Sequence, residues 1–105
     1  MEISFASRKL KKQLTDPISA IKHFGILARK INQRIQELAS SENLEMIRKI
    51  PAAKCHELKG DRTGQFAVAI SGNYRLIFVP LLENNESTQW SKITRIQIIK
   101  IEDYH

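Results

Sequence analysis

Cys55-His56-Glu57-Leu58-Lys59-Gly60-Asp61-Arg62-Thr63-Gly64, then Gln65-Phe66-Ala67-Val68-Ala69-Ile70-Ser71, and, past Gly72-Asn73, Tyr74-Arg75-Leu76-Ile77-Phe78-Val79 are the residues that decide the fold. Two glycine-bearing turns part three runs in which apolar residues mix with polar and charged ones, the pattern of an antiparallel meander. Downstream, past the polar loop Glu83 to Thr88, Ile93 to Ile101 is long and β-branched enough for another strand. Consecutive strands alternate in direction, so the Gly72-Asn73 turn and the run Glu102-Asp103-Tyr104-His105 are expected at one end of the sheet, with Arg75 near Tyr104.

Upstream the period changes. Ile3-Ser4-Phe5 alternates and predicts a short edge strand, and Ser7 to Leu14 has apolar positions four apart, predicting a short helix with a basic outer face. Asp16 can cap a new start and Pro17 is tolerated at the first helical position. From Pro17 to about Ser40 the spacing predicts one helix: Ile21, Phe24, Leu27, Ala28, Ile31, Ile35 and Leu38 fall in a single arc, with Lys22, Arg29, Lys30, Gln33, Arg34 and Glu37 outside it. His23 lands on the polar side. Ser41 to Asn43 can cap one more turn, Leu44 to Lys49, and Pro51 closes the helical half. The expected class is α+β, one domain over residues 1–105: a short amino-terminal strand and a helical pair packed on an antiparallel meander of three to four strands.

Register offers a test of whether the meander gathers a site. With a five-residue loop from Gly60 to Gly64, Lys59 pairs with Gln65 and His56 with Val68. Counting on across Gly72-Asn73, Val68 pairs with Ile77 and Ile70 with Arg75, which puts His56 and Arg75 on one face. A loop of six residues starting at Lys59 would put them on opposite faces.

Seventeen Lys and Arg against eleven Asp and Glu give a formal charge of +6, a field that favours a polyanion or an acidic partner. At 42% hydrophobic and 27% charged, the chain has the composition of a folded globular protein. One cysteine, Cys55, precludes an intrachain disulfide and fits a reducing compartment; in its apolar surroundings it reads as a small buried hydrophobe, not a nucleophile. The amino terminus lacks a basic stretch followed by an apolar core, and nowhere do eighteen apolar residues run together, so neither secretion nor a membrane span is expected.

His23, His56 and His105 are far apart and no paired metal-ligand spacing exists, so no metal and no cofactor is expected. A phosphate-cradling loop of the strand-to-helix type is missing. What remains is a set of acids, bases and cations: His56, Lys59, Arg62, Arg75, Asp103, Tyr104 and His105. Such a set suits metal-free cleavage of RNA, in which the ribose 2′-hydroxyl loses a proton, the phosphorane gathers charge and the 5′ oxygen gains a proton. Histidine titrates near neutrality and arginine presents a planar fork to phosphate oxygens. Each residue also has a plainer reading: His56 and Lys59 as exposed turn neighbours, Arg75 as an ion-pair partner, Tyr104 as packing for the terminus. Lys22, Arg29, Lys30 and Arg34 on the helix, with Arg62 in the loop, are either solvated or a track for RNA or ribosomal phosphates.

His-x-Leu-Lys-Gly-Asp-Arg-x-Gly (His56 to Gly64), Ser-Gly-Asn-Tyr-Arg-Leu-Ile-Phe (Ser71 to Phe78) and Glu-Asp-Tyr-His (Glu102 to His105), in this order, resemble the HigB toxins of the RelE superfamily, the plasmid maintenance killer group of type II toxin–antitoxin systems. The resemblance covers nearly the whole chain and implies a RelE-like fold. It further implies a ribosome-dependent mRNA endonuclease of the bacterial cytoplasm that inhibits translation, acting on mRNA in the A site of the 70S ribosome. A cognate HigA-like helix-turn-helix antitoxin would neutralise it, and operator DNA would be met only through that antitoxin.

By motif position the family's catalytic set falls on His56, Lys59, Arg75, Asp103, Tyr104 and His105. Arg75 and Lys59 would hold the phosphate, His56 and Tyr104 would be acid and base, and Asp103 and His105 would orient or assist. A tyrosine, whose ordinary pKa is about 10, needs cationic neighbours to serve as the base. The chain departs from the family in carrying Phe66 and Tyr74 where tryptophan is frequent, and in a longer segment from Leu82 to Lys92 containing Trp90, which either covers the sheet edge or stacks on a base, core packing being the expected role. A non-enzymatic RNA- or ribosome-binding module on the same fold is the alternative function.

Overall fold

In the computed structural model, which describes residues 1–83 and 89–103, β1 (Glu2–Phe5) leads into α1 (Arg8–Thr15), α2 (Pro17–Phe24) and α3 (Leu27–Ser40). Short 3-10 turns at Leu44–Lys49 and Pro51–Ala53 carry the chain to β2 (His56–Glu57), β3 (Phe66–Ala69), β4 (Tyr74–Pro80) and β5 (Arg95–Asp103). The five strands form one sheet in the order β1-β5-β4-β3-β2. β2 to β5 are an antiparallel meander, as the sequence predicts, and β1 adds to the edge parallel to β5, with Glu2 opposite Arg95 and Phe5 opposite Ile98.

The helix starts follow from capping chemistry. The Ser7 hydroxyl accepts the Leu10 N–H at 3.0 Å and the Asp16 carboxylate accepts that of Ser19 at 3.0 Å, with Pro17 at the first position of α2. The helix expected from Pro17 to Ser40 is instead two. Gly25 adopts φ 57° and ψ −128°, a conformation reserved in practice for glycine, so its N–H closes α2 on Ile21 while its carbonyl starts α3 by accepting from Ala28. The break turns α2 away from the arc of α3, leaving Ile21 63% exposed, so that residue leaves the expected core stripe. Leu44–Lys49 winds as a 3-10 turn, and Pro51 begins another such turn instead of ending the helical half.

The helices cover one face of the sheet. Leu14, Ile31, Ile35 and Leu38 meet Phe66, Val68, Leu76, Phe78, Ile96 and Ile98 in the main core, where each buried Leu, Ile or Phe contributes roughly 1.5–3 kcal/mol. Trp90 packs edge-on to Phe66, with ring centroids 5.3 Å apart, and the Arg48 guanidinium lies 3.9 Å over its centre. That is the expected core role. Phe66 and Tyr74 both belong to the helix-facing side, so both side chains serve packing. Of the polar loop, residues 84–88 lie outside the described residues.

Arg34 is a correction. Expected on the basic outer face, it is 3% exposed: its Nε donates to the Ala69 carbonyl at 2.7 Å, Nη2 to that of Ala52 at 3.0 Å, and Nη1 to Glu37 at 2.9 Å. A helical wheel ranks arginine as polar. It does not see that β2 is only two residues long, leaving a carbonyl on the edge of β3 for a planar donor to reach.

Candidate functional site

The face of the sheet turned away from the helices carries the candidate residues His56 and Arg75. His56 lies opposite Ala67, Ala67 opposite Ile77, and Ala69 opposite Arg75. Partners share a face and alternate residues return to it, so His56, Leu58, Ala67, Ala69, Arg75 and Ile77 all belong to the open side. Both expected registers are off by one. The first loop has six residues, since Leu58 donates to the Gln65 carbonyl, and the second turn is shifted as well, Ala69 and not Ile70 standing opposite Arg75. The two shifts cancel, and the expected sharing of one face by His56 and Arg75 holds.

β5 completes this surface through a bulge. Ile77 stands opposite Lys100 but Phe78 opposite Ile98, so Ile99 is the extra residue, and the strand changes phase. Ile96 and Ile98 stay in the core below the bulge, while Lys100 and Glu102 emerge on the open face above it, Glu102 directly opposite Arg75. A small apolar floor of Leu58, Ala67 and Ile77, with Ile99, underlies the charged groups.

The charged groups are fixed by named contacts. The Arg75 guanidinium donates through Nη1 to the Ser71 carbonyl at 2.6 Å and to the Tyr74 carbonyl at 3.0 Å, which draws it over the turn. Arg62 reaches from the Gly60–Arg62 turn to Glu102, Nη1 to Oε2 at 2.8 Å and Nη2 to Oε1 at 2.9 Å. It also holds Gln65 Oε1. Lys100 Nζ lies 3.0 Å from Glu102 Oε1. These bonds, that from Arg62 foremost, pull the Glu102 carboxyl below the usual carboxylate range. Glu57 Oε2 accepts the Gly64 N–H at 3.0 Å and closes the other end of the loop.

His56 Nδ1 is 2.9 Å from the Lys54 carbonyl. A carbonyl only accepts, so Nδ1 carries the proton and the neutral ring keeps its lone pair on Nε2. Lys54 holds its carbonyl there from a left-handed conformation, φ 48°. Cys55, beside it, packs on the core, and burial pushes its thiol up to about 12, the thiol of an inert hydrophobe.

Lys59 is exposed and stands just past the last ladder bond, at the entry to the Gly60–Arg62 turn. Asp103 is paired with Tyr74, one position from the Arg75–Glu102 pair, which puts it on the helix-facing side of the sheet. The register thus puts His56 and Arg75 on one face, joins Arg62 to that face through Glu102, and sets Asp103 in the alternate position of β5. Tyr104 and His105 lie outside the described residues. On the far side of the sheet, Lys22 and Arg29 are exposed and Lys30 is partly so. Glu102 and Lys100 were not among the expected site residues. Their signal was the break in the isoleucine alternation between Ile98 and Ile101, which a bulge explains. Among the described residues no three His, Cys, Asp or Glu side chains could together hold a metal ion, and no helix is long and apolar enough to cross a membrane.

Helices on one side of a five-stranded mixed sheet, with a charged open face, make this the RelE/YoeB-like toxin fold. The chain is similar to the YoeB/ParE toxin from Agrobacterium tumefaciens, with 17% identity, a TM-score of 0.57 and all of both chains covered. It is similar to a YoeB–YefM complex from Staphylococcus aureus, with 20% identity, a TM-score of 0.57, and 100% of this chain and 97% of that one covered. YafQ from E. coli strain BL21(DE3) aligns at 11% identity with a TM-score of 0.61 over 97% of this chain and 91% of its own. No protein-family model and no curated protein matches the sequence.

Proposed function

We propose that this protein is the toxin of a type II toxin–antitoxin pair, a HigB-like endonuclease that cuts mRNA in the ribosomal A site and is neutralised by a HigA-like antitoxin in the bacterial cytoplasm. The observation that carries the reading is the sharing of one open sheet face by His56 and Arg75, in a fold that solved toxins also have.

In the proposed reaction, His56 Nε2 takes the ribose 2′-hydroxyl proton as that oxygen attacks phosphorus. Arg75 and Lys59 balance the charge gathering on the non-bridging oxygens. The bond from phosphorus to the 5′ oxygen breaks and Tyr104 returns a proton to the leaving oxygen, which yields a 2′,3′-cyclic phosphate and a 5′-hydroxyl. His105 assists Tyr104, and Asp103 acts by positioning alone. A phosphate entering beside Arg75 competes with Glu102 for Arg62, so the loop carrying Arg62 moves with substrate binding.

The test uses purified protein and 70S ribosomes holding a defined mRNA, with the 3′ ends of the fragments read directly. His56→Ala and Arg75→Ala are each expected to slow cleavage by about 10²- to 10⁴-fold, and expression of Arg75→Ala should no longer arrest growth. Wild-type rates from both variants would refute the assignment. Salt-sensitive RNA binding without cleavage, unchanged in His56→Ala, would make the protein a binding module instead.

A further inference from the structure

β2 stops early, and the side chain that takes over where it stops comes from the helix layer. Leu58 donates to the Gln65 carbonyl and His56 stands opposite Ala67, so in an unbroken antiparallel ladder Lys54 would be the next hydrogen-bonded partner, opposite Ala69. Lys54 instead turns to φ 48° and ψ 44°, the one non-glycine residue at positive φ among the described residues. Its N–H donates to the Pro51 carbonyl at 3.1 Å. The Ala69 carbonyl, which that N–H would have met, accepts from Nε of Arg34 at 2.7 Å. Turned out of the ladder, the Lys54 carbonyl accepts from His56 Nδ1 at 2.9 Å.

One guanidinium therefore stands in for a missing rung. Its Nη2 also holds the Ala52 carbonyl at 3.0 Å, two residues before Lys54, and the buried Ala53 between them packs on the main core. Nη1 is anchored on Glu37 at 2.9 Å, whose other oxygen accepts from Gln33 Nε2 at 3.1 Å. From behind the sheet this brace reaches both sides of the open face: the bend that presents a carbonyl to His56, and Ala69, which stands opposite Arg75. Arg34 is itself buried in α3 and meets that face through backbone alone.

We propose that Arg34 is a positioning residue for His56: by occupying the Ala69 carbonyl it holds Lys54 in the left-handed turn, and the Lys54 carbonyl keeps the imidazole proton on Nδ1 and the lone pair on Nε2. The proposal rests on the reading of His56 as the base that takes the 2′-hydroxyl proton. A left-handed conformation costs a lysine free energy that a glycine is spared, and a buried carbonyl without a donor is a further cost. Without Arg34, both costs fall together when Lys54 extends and pairs with Ala69, and His56 then loses that acceptor. A lysine at position 34 lacks the planar fork that meets both carbonyls at once.

The test reads the ring directly, by NMR of the histidine nitrogens in isotope-labelled protein. In the wild type the neutral His56 ring should be the Nδ1–H tautomer. Arg34→Lys should convert it to a mixture of the two tautomers. So should Lys54→Val, which sits at an exposed position compatible with folding and puts a β-branched residue where positive φ is excluded. On 70S ribosomes Arg34→Lys should lower kcat for mRNA cleavage about 10- to 100-fold at unchanged KM, with urea unfolding showing the variant folded under assay conditions. An unchanged tautomer in either variant would overturn the proposal, and so would a raised KM at unchanged kcat, which would make Arg34 a contact for RNA. If His56→Ala cleaves at the wild-type rate, the role given to His56 fails, while the tautomer still decides whether Arg34 sets the ring.

Discussion

Replacing Arg34 by methionine keeps the aliphatic stem and deletes the guanidinium. The Ala69 carbonyl, which now accepts a bond of 2.7 Å, would then be buried without that donor, and the partly exposed Ala52 carbonyl would lose its bond of 3.0 Å. Hydrogen bonds to a charged group contribute about 1.5–3 kcal/mol each, and deleting one partner of a buried charged network costs about 3–5 kcal/mol. Arg34→Met should therefore lose about 3–5 kcal/mol, a large share of the 5–15 kcal/mol expected for a domain. With a urea m-value of about 1.5 kcal/mol/M, the unfolding midpoint would fall by about 2–3 M at unchanged slope. Arg34→Lys, which cannot span both carbonyls, should lose about half as much. Equilibrium urea unfolding followed by Trp90 fluorescence measures this. A midpoint moved by less than about 0.5 M, together with weakened RNA binding, would refute the buried brace and return Arg34 to the basic outer face.

Gly25→Ala should destabilise by about 1–3 kcal/mol, because a Cβ strains the backbone there; thermal unfolding measures it, and a neutral variant would mean that α2 and α3 tolerate another junction. Cys55, with its thiol near 12, should resist iodoacetamide at pH 8 in the native protein and react once urea unfolds it; native labelling at the denatured rate would contradict its burial. Glu102 has a folded pKa below its unfolded one, so its contribution is present above the ordinary carboxylate range and lost as pH falls through it toward the folded value. Arg62→Gln should flatten that acid limb by up to about 1 kcal/mol, since the pair is partly exposed; an acid limb identical to wild type would show that Arg62 does not hold Glu102 in solution.

The meander was legible because its glycine turns and alternating runs are local signals, and the caps at Ser7 and Asp16 because a side-chain oxygen three residues from an orphan N–H is a property of spacing alone. What escaped were non-local facts. The single helix from Pro17 to Ser40 kept its period through Gly25, and nothing in a helical wheel marks the left-handed φ at which the chain turns. Each turn was counted one residue wrong, because loop length fixes register and glycine positions do not reveal whether the flanking residue joins the ladder. The sharing of one face by His56 and Arg75 holds because two slips of one residue restore parity. Glu102 went unnoticed because its role depends on the bulge at Ile99 and on Arg62, forty residues away.

β5 is inserted between β1 and β4, so the strand translated last among the described elements is interior to the sheet. Until Arg95–Asp103 has left the ribosomal tunnel, β1 has no neighbour, and Arg75 and Arg62 have no Glu102 between them. Pairing Glu2 with Arg95 closes nearly the whole chain, a step of high contact order that slows folding. A nascent chain that has not yet released β5 is thus a set of helices beside an unfinished hairpin, and its charged face is assembled only once that strand pairs.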